Sequence, residues 1–306
     1  MSTSTLHPTL YAPAIMEADK LIKLVNHDDG SNGIWRIVLC TEDSIREEDI
    51  PEALNTIRTV LAAKRRNSGV AVYVRVRNHE VMAQVLALPN ADKLEGFVIP
   101  KADPVSFPLY AEQVSGLHFR LMPILESHLM FMDSFRATLR EVLKQYRDQI
   151  ECLRIGANDL MGHLGIRRDD EMFTIYDTPV GNLIYQIINE FRGVDGFTIT
   201  APVFECFDEK YDQLLLREVR QHMMNGLYGQ TVIHTRHMRI IRDAYRVSNG
   251  DLQSAQGIVQ TDTAVLGLNG KMDERATHLN WAELMIERHN NFGETFVEVA
   301  HVPIVV

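Results

Sequence analysis

Cysteine is scarce. The chain has three, Cys40, Cys152 and Cys206, in 306 residues. Odd in number and far apart, they support neither a disulfide framework nor a C-x-x-C metal or redox site, and a reducing, cytoplasmic setting fits them best. Long apolar runs are missing too. No stretch of about 18 apolar residues occurs, and the segment Met1 to Lys20 lacks a basic stretch followed by an apolar core, so neither membrane insertion nor export is expected. Positive charge is also in deficit. With 31 Lys and Arg against 41 Asp and Glu, the net charge is −10. That argues against nucleic acid or an anionic membrane as the main partner, both of which need a basic footprint, but leaves room for a local cationic pocket. There is no low-complexity tract and no repeat of 20 to 50 residues.

What is present is an ordinary globular composition, 45% hydrophobic and 24% charged, able to bury a large core. Short runs rich in β-branched residues, Trp35 to Cys40, Ala71 to Val76, Gly96 to Ile99, His118 to Leu125, Cys152 to Ile155, Gly196 to Ile199 and Gly229 to Ile233, read as strands, with Leu10 to Ala12 as an eighth. Amphipathic stretches of helical length lie between them, among them Glu52 to Lys64, Met132 to Tyr146, Leu183 to Phe191 and Lys210 to Met224. Strands alternating with helices imply parallel pairing and the α/β class. Eight units suit a (β/α)8 TIM barrel over residues 1–248, although an open doubly wound sheet would give a similar pattern. Residues 249–306 read as a C-terminal helical extension. It has two helical stretches separated by the turn-like Leu268-Asn269-Gly270-Lys271, then a strand-like end from Phe296 to Val306.

In a barrel the chemistry sits at the C-terminal ends of the strands. Period-two alternation in Val70 to Arg77 puts the valines on one face and Tyr73, Arg75 and Arg77 on the other. If the valines meet the outer helices, Arg75 enters the barrel near its top, offering a planar fork for a carboxylate or phosphate; its other reading is an arginine paired with a structural carboxylate. Arg77 hints at a second anionic group on the substrate. Glu126 follows the apolar run Leu121 to Leu125, and Gly156-Ala157-Asn158-Asp159 follows the next strand. Read singly, these are a helix-terminal charge and a turn with an N-cap. Together they put two carboxylates on consecutive strand tops, an arrangement by which oxygen ligands hold a Mg²⁺ that keeps other positions for water or substrate. Glu42 and Asp43 add carboxylates to the same rim. His234 and His237 invite a zinc reading, but no third ligand stands at useful spacing.

The order of these motifs resembles the citrate lyase beta-subunit family and, more loosely, the HpcH/HpaI aldolases. Leu10-Tyr11-Ala12-Pro13-Ala14 is similar to the family's Leu-Phe-Val-Pro-Gly, Thr41-Glu42-Asp43-Ser44-Ile45 to Leu-Glu-Asp-Ala-Val, and Val74-Arg75-Val76-Arg77 to Val-Arg-Val-Asn. Ile99-Pro100-Lys101 echoes Leu-Pro-Lys, Leu125-Glu126-Ser127 echoes Ile-Glu-Thr, and Ile155 to Leu160 echoes Phe-Gly-x-x-Asp-Leu. Gly229 to Thr235 and Gly270-Lys271-Met272-Asp273 match two further motifs. The branch it most resembles is that of TIM-barrel carbon–carbon bond lyases in tellurium-resistance gene clusters.

The resemblance implies a carbon–carbon lyase or aldolase that acts on a keto or hydroxy carboxylic acid, free or as a CoA thioester, through a metal-stabilised enolate. It implies Glu126 and Asp159 as Mg²⁺ ligands and Arg75, Asp273, Glu42 and Asp43 as the catalytic set. Arg77, Pro100, Lys101, Gly156 and Asn158 would join Arg75 in holding substrate. Asp273 would serve an adjacent subunit's site, implying a homotrimer or a multiple of it. A thioester hydrolase, a malate-synthase-like condensing enzyme, or a non-catalytic ligand-binding subunit are the other readings. Departures fall on the substrate side: Cys40 replaces an aspartate of many members, Arg77 an asparagine, Gln230 a lysine, Thr235 a proline and Ala14 a glycine.

Overall fold

The computed structural model of the chain describes residues 4–26, 33–168, 172–261, 265–268 and 271–295. Contacts divide the chain into two units, 1–240 and 241–306. The division falls inside a helix, ahead of the boundary after residue 248 that the sequence suggests.

In the first unit eight strands follow one another: β1 (Thr9–Pro13), β2 (Arg36–Cys40), β3 (Ala71–Arg75), β4 (Gly96–Ile99), β5 (Arg120–Leu125), β6 (Leu153–Ile155), β7 (Ile199–Thr200) and β8 (Thr231–Val232). Each pairs in parallel with the next from β1 to β7, and β8 returns to β1. An open doubly wound sheet must reverse its strand order at a switch point; here no reversal occurs. At the remaining seam Ala201 N donates to Tyr228 O at 2.7 Å and Thr231 N to Ala201 O at 3.2 Å, so β7 and β8 are bridged and the result is a TIM barrel. The strand expected at Gly196 to Ile199 is shifted to Ile199–Thr200. Gly196 has φ +69°, a turn conformation that ends the preceding helical segment rather than starting a strand.

Helices cover the outside: α1 (Ala18–Val25), α2 (Ile50–Ala63), α3 (His79–Leu86), α4 (Phe107–Gln113), α5 (Asp133–Gln145), α6 (Ala157–His163), α7 (Pro179–Ile187), α8 (Asp212–Met224) and α9 (Thr235–Ala244). Their local causes are legible. Pro51 sits in the first turn of α2, where its missing N–H is not needed. Ala53, Ile57, Val60 and Leu61 then form a buried stripe at helical spacing. The Asn78 side chain caps α3, accepting from Val81 N at 2.9 Å. α7 runs on into a π-helical segment, Ile188–Val194.

Strand parity sorts the side chains. Ile37, Leu39, Val72 and Val74 are fully buried on the faces turned to the helices, while Val38, Ala71, Tyr73, Val98, Met122, Ile124 and Cys152 form one cluster inside the barrel. The same parity brings two arginines into that interior, Arg36 and Arg154, both almost completely buried. Arg36 is neutralised. It pairs with Glu151, which also accepts from the Tyr73 hydroxyl at 2.8 Å.

The second unit contains α10 (Asn249–Gln260), β9 (Val265–Leu268), β10 (Lys271–Glu274) and α11 (Arg275–Phe292). The Ser248 hydroxyl caps α10, accepting from Asp251 N at 3.1 Å. Leu252, Ala255 and Ile258 pack with Ala282 and Met285. The extension is therefore not purely helical: the segment flanking the expected turn forms an antiparallel hairpin. The strand-like reading of Phe296 to Val306 lies outside the described residues.

Candidate active site

Three consecutive strand ends build an ionic network on the C-terminal rim. Glu42, just past β2, is buried and accepts from Asp43 N at 2.8 Å. Arg75, the last residue of β3, sends Nη2 to Glu42 and, at 2.6 Å, to Asp43 Oδ2. Lys101, following β4, places Nζ 2.6 Å from Glu42 Oε1 and 3.4 Å from Asp43 Oδ1. Burial opposes ionisation of Asp43, but its hydrogen bonding and the charges of Arg75 and Lys101 win and hold its carboxyl below the usual range. The two readings of Arg75 thus hold together: it is paired with carboxylates and it also lines the cavity described below. Its Nε is buried without a partner.

The next two strand ends supply the other pair of carboxylates. Glu126, directly after β5, is buried, and its Oε1 accepts from Lys101 N at 2.8 Å. Lys101 adopts φ +46° to make that contact, a left-handed conformation that costs a non-glycine residue about 1 kcal/mol or more and collects at functional sites. A Cβ on Gly156 would lie 2.2 Å from Glu126 Oε2 and 2.4 Å from Glu126 Cβ, so the bare backbone of Gly156 is what lets this carboxylate sit here. Asp159 stands in the first turn of α6. Burial pushes the Glu126 carboxyl up to about 7; the Arg75 charge opposes this and the Asp159 charge reinforces it.

A buried carboxylate whose ionisation is opposed by a second carboxylate beside it makes, with that neighbour, a donor set that a divalent cation relieves. Among the described residues no group of three or more His, Cys, Asp or Glu side chains is placed to hold a metal. Mg²⁺ is commonly held by one or two carboxylates with waters completing its shell, and Glu126 and Asp159 are donors of that type.

A cavity of about 320 Å³ opens among these groups, its wall including Asp43, Arg75, Glu126, Gly156, Asn158 and Asp159. A second of about 370 Å³ shares Tyr11, Asp43, Arg75 and Ile233 with it and adds Cys40. Five of the expected residues lie elsewhere. Glu42 and Lys101 support the wall through the ionic network. Pro100 is buried in the turn after β4. Arg77 does not face the cavity: β3 ends at Arg75, strand parity no longer applies beyond it, and Arg77 Nη2 donates to the carbonyls of Glu42 at 3.2 Å and Ile45 at 2.5 Å, pinning the loop after β2. Asp273 is on β10 of the second unit, buried, with Oδ2 lacking a partner. Tyr11, Arg154 and Thr231 also line the cavity and were not singled out by motif. Parity would have found Arg154, two residues beyond the inward Cys152.

The family model for carbon–carbon bond lyases of the TIM-barrel fold matches residues 1–294. No curated protein sequence matches the chain. Among solved structures it is similar to a citrate lyase from Burkholderia xenovorans LB400, with a TM-score of 0.70 at 14% identity, covering 97% of this chain and 95% of that one. The protein CitE of Mycobacterium tuberculosis, in complex with magnesium, acetoacetate and coenzyme A, gives 0.61 at 20% identity over 92% of this chain and 97% of that one. The malate synthase of Haloferax volcanii gives 0.59 at 14% identity over 79% and 73%. At these identities the structural likenesses show the fold.

Proposed function

The chain belongs to the family of carbon–carbon bond lyases of the TIM-barrel fold, and from that premise we propose that it cleaves a carbon–carbon bond in a keto or hydroxy carboxylic acid with Mg²⁺ held by Glu126 and Asp159. The observation that carries this reading is the pair of carboxylates on the tops of β5 and β6, on one cavity wall with Arg75. The magnesium complex of the M. tuberculosis relative supports the choice of metal. When bound, the metal supplies Lewis-acid stabilisation of the negative charge that develops as the bond breaks.

The chain's own residues do the rest. Arg75 keeps Nε free of protein partners and binds the substrate carboxylate, while Glu42 and Asp43 hold its guanidinium in one orientation. Lys101 locks those two carboxylates from the opposite side and, through its backbone N–H, orients Glu126. Burial of Glu126 keeps bulk water from competing at the reacting end, so fixed charges act there with more force than at the surface. To Asp273 we assign the part of an acid or base delivered to a neighbouring subunit's site in a homotrimeric, cytoplasmic enzyme. The motif resemblance and the unpartnered Oδ2 of Asp273 support that assignment.

The test is to incubate Mg²⁺-loaded protein with a panel of 2-keto and 3-hydroxy acids, free and as CoA thioesters, and follow the two fragments by NMR. Wild type is expected to cleave at least one member. Arg75→Met should lose about a hundredfold or more, the scale for removing a charged anchor that also orients the substrate. Absence of cleavage across the panel, or cleavage unaffected by Glu126→Gln, contradicts the proposal.

A further inference from the structure

Among the described residues, the interior of the barrel holds one cation more than its local partners neutralise. Arg36 has Glu151, but among the described residues Arg154 has no carboxylate within ion-pair distance. Its Nη2 donates to Thr231 Oγ1 at 2.6 Å and more weakly to Gly229 O at 3.4 Å. Its Nη1 meets the Met122 thioether at 3.7 Å, the Cys152 thiol also interacts with the guanidinium, and among the described residues Nε, buried, has no hydrogen-bond partner. The guanidinium carbon lies 5.4 Å from the Tyr11 ring centroid. Only 2% of the residue is exposed, yet it contributes to the cavity wall. A buried charge without a counter-ion is expensive and is retained where something else supplies the opposite charge.

Register fixes its height. Arg154 pairs with Ile124 of β5, two residues before Glu126, so its guanidinium belongs to the side-chain layer one step below the Glu126 carboxylate. Ile124 and Tyr11, both on the cavity wall, bring apolar surface to that layer. We propose that Arg154 is a specificity-determining residue that binds a second carboxylate of the substrate, directed down the barrel axis, so that the enzyme takes a dicarboxylic rather than a monocarboxylic acid. The Nε and Nη1 edge of the guanidinium gives the planar two-point fork that a carboxylate matches. This rests on the lyase reading for the upper half of the site, but the second-carboxylate subsite is a property of Arg154 and does not require the metal.

The experiment is calorimetric titration of succinate and of butyrate, matched in carbon number, into wild type, Arg154→Met, Arg154→Lys and Ile124→Asp, each with EDTA and again with Mg²⁺. Wild type is expected to bind succinate about tenfold or more tightly than butyrate in both conditions, the scale of one charged hydrogen-bonding contact. Arg154→Met should erase the preference, and Arg154→Lys should keep part of it. Ile124→Asp places a carboxylate beside the intact arginine and should erase the preference as well, which keeps the test open if Arg154→Met folds poorly. A wild type that binds both acids equally, or prefers phosphoglycolate to succinate, overturns the proposal. So does an Arg154→Met variant whose thermal midpoint falls while the succinate preference stays. Loss of the Mg²⁺ effect with the preference intact would count against the lyase reading alone.

Discussion

Gly156 and Glu126 form a pair in which one residue's absent side chain makes room for the other's charge. Replacing Gly156 by Ala forces a Cβ to within 2.2 Å of Glu126 Oε2 and 2.4 Å of its Cβ, so the Glu126 side chain must move. Gly156→Ala is expected to weaken Mg²⁺ binding by about tenfold or more, as loss of a well-oriented ligand does, while circular dichroism stays that of the wild type; an unchanged affinity would mean that Glu126 is not a ligand. Lys101→Ala should act differently. It frees Glu42 and Asp43 from one cation but keeps the backbone N–H that orients Glu126. Carboxylate substrate binding should weaken more than metal binding, and titrating each ligand separately distinguishes the two. At this scale the sequence was informative where strand parity holds. Arg75, Glu126, Gly156, Asn158 and Asp159 all come to the cavity. Arg77 fails because the chain leaves the strand before it, and Arg154 was missed because no motif marks it.

The elements that carry the site are braced by polar contacts that apolar periodicity cannot reveal. On α8, Glu218 is fully buried between Arg168, at 2.8 Å, and His222, at 3.5 Å, and accepts from Ile175 N at 2.8 Å. Burial alone would raise its carboxyl, but Arg168, His222 and the backbone donor prevail and bring it down to about 2. A carboxyl depressed on folding contributes stability that is fully present above the unfolded value of 4.5 and is lost as the pH falls through about 2. Acid unfolding of wild type should therefore steepen across that window. Glu218→Gln should remove that component and cost about 3 kcal/mol at neutral pH, because it takes from buried Arg168 one of its counter-ions and, among the described residues, leaves Glu205. A variant as stable as wild type would show the cluster to be dispensable. Helix positions were legible from hydrophobic spacing, as in α2, α5 and α8. The hairpin β9–β10 was not, since two four-residue strands around Asn269-Gly270 offer too short a pattern to separate from a turn between helices.

For the molecule as a whole, the alternation of strands and helices identified the class, but the choice between barrel and open sheet turned on pairing that sequence does not contain. It is settled by β8 returning to β1 and by the contacts of Ala201 across the seam. The proposed assembly makes its own prediction. If Asp273 serves a neighbouring site, Glu126→Gln and Asp273→Asn, each inactive alone, should recover activity when unfolded together and refolded, and sedimentation should report three times the chain mass of 34.9 kDa. A monomer, or a mixture as inactive as its components, contradicts that assembly.

The central claim is that Glu126 and Asp159 hold Mg²⁺. Its most direct test is titration of Mg²⁺ into chelator-treated protein by calorimetry, comparing wild type with the Glu126→Gln/Asp159→Asn double variant. One site per chain in wild type, absent from the folded double variant, is the predicted result. No binding by wild type, or the same binding by both proteins, would contradict the account.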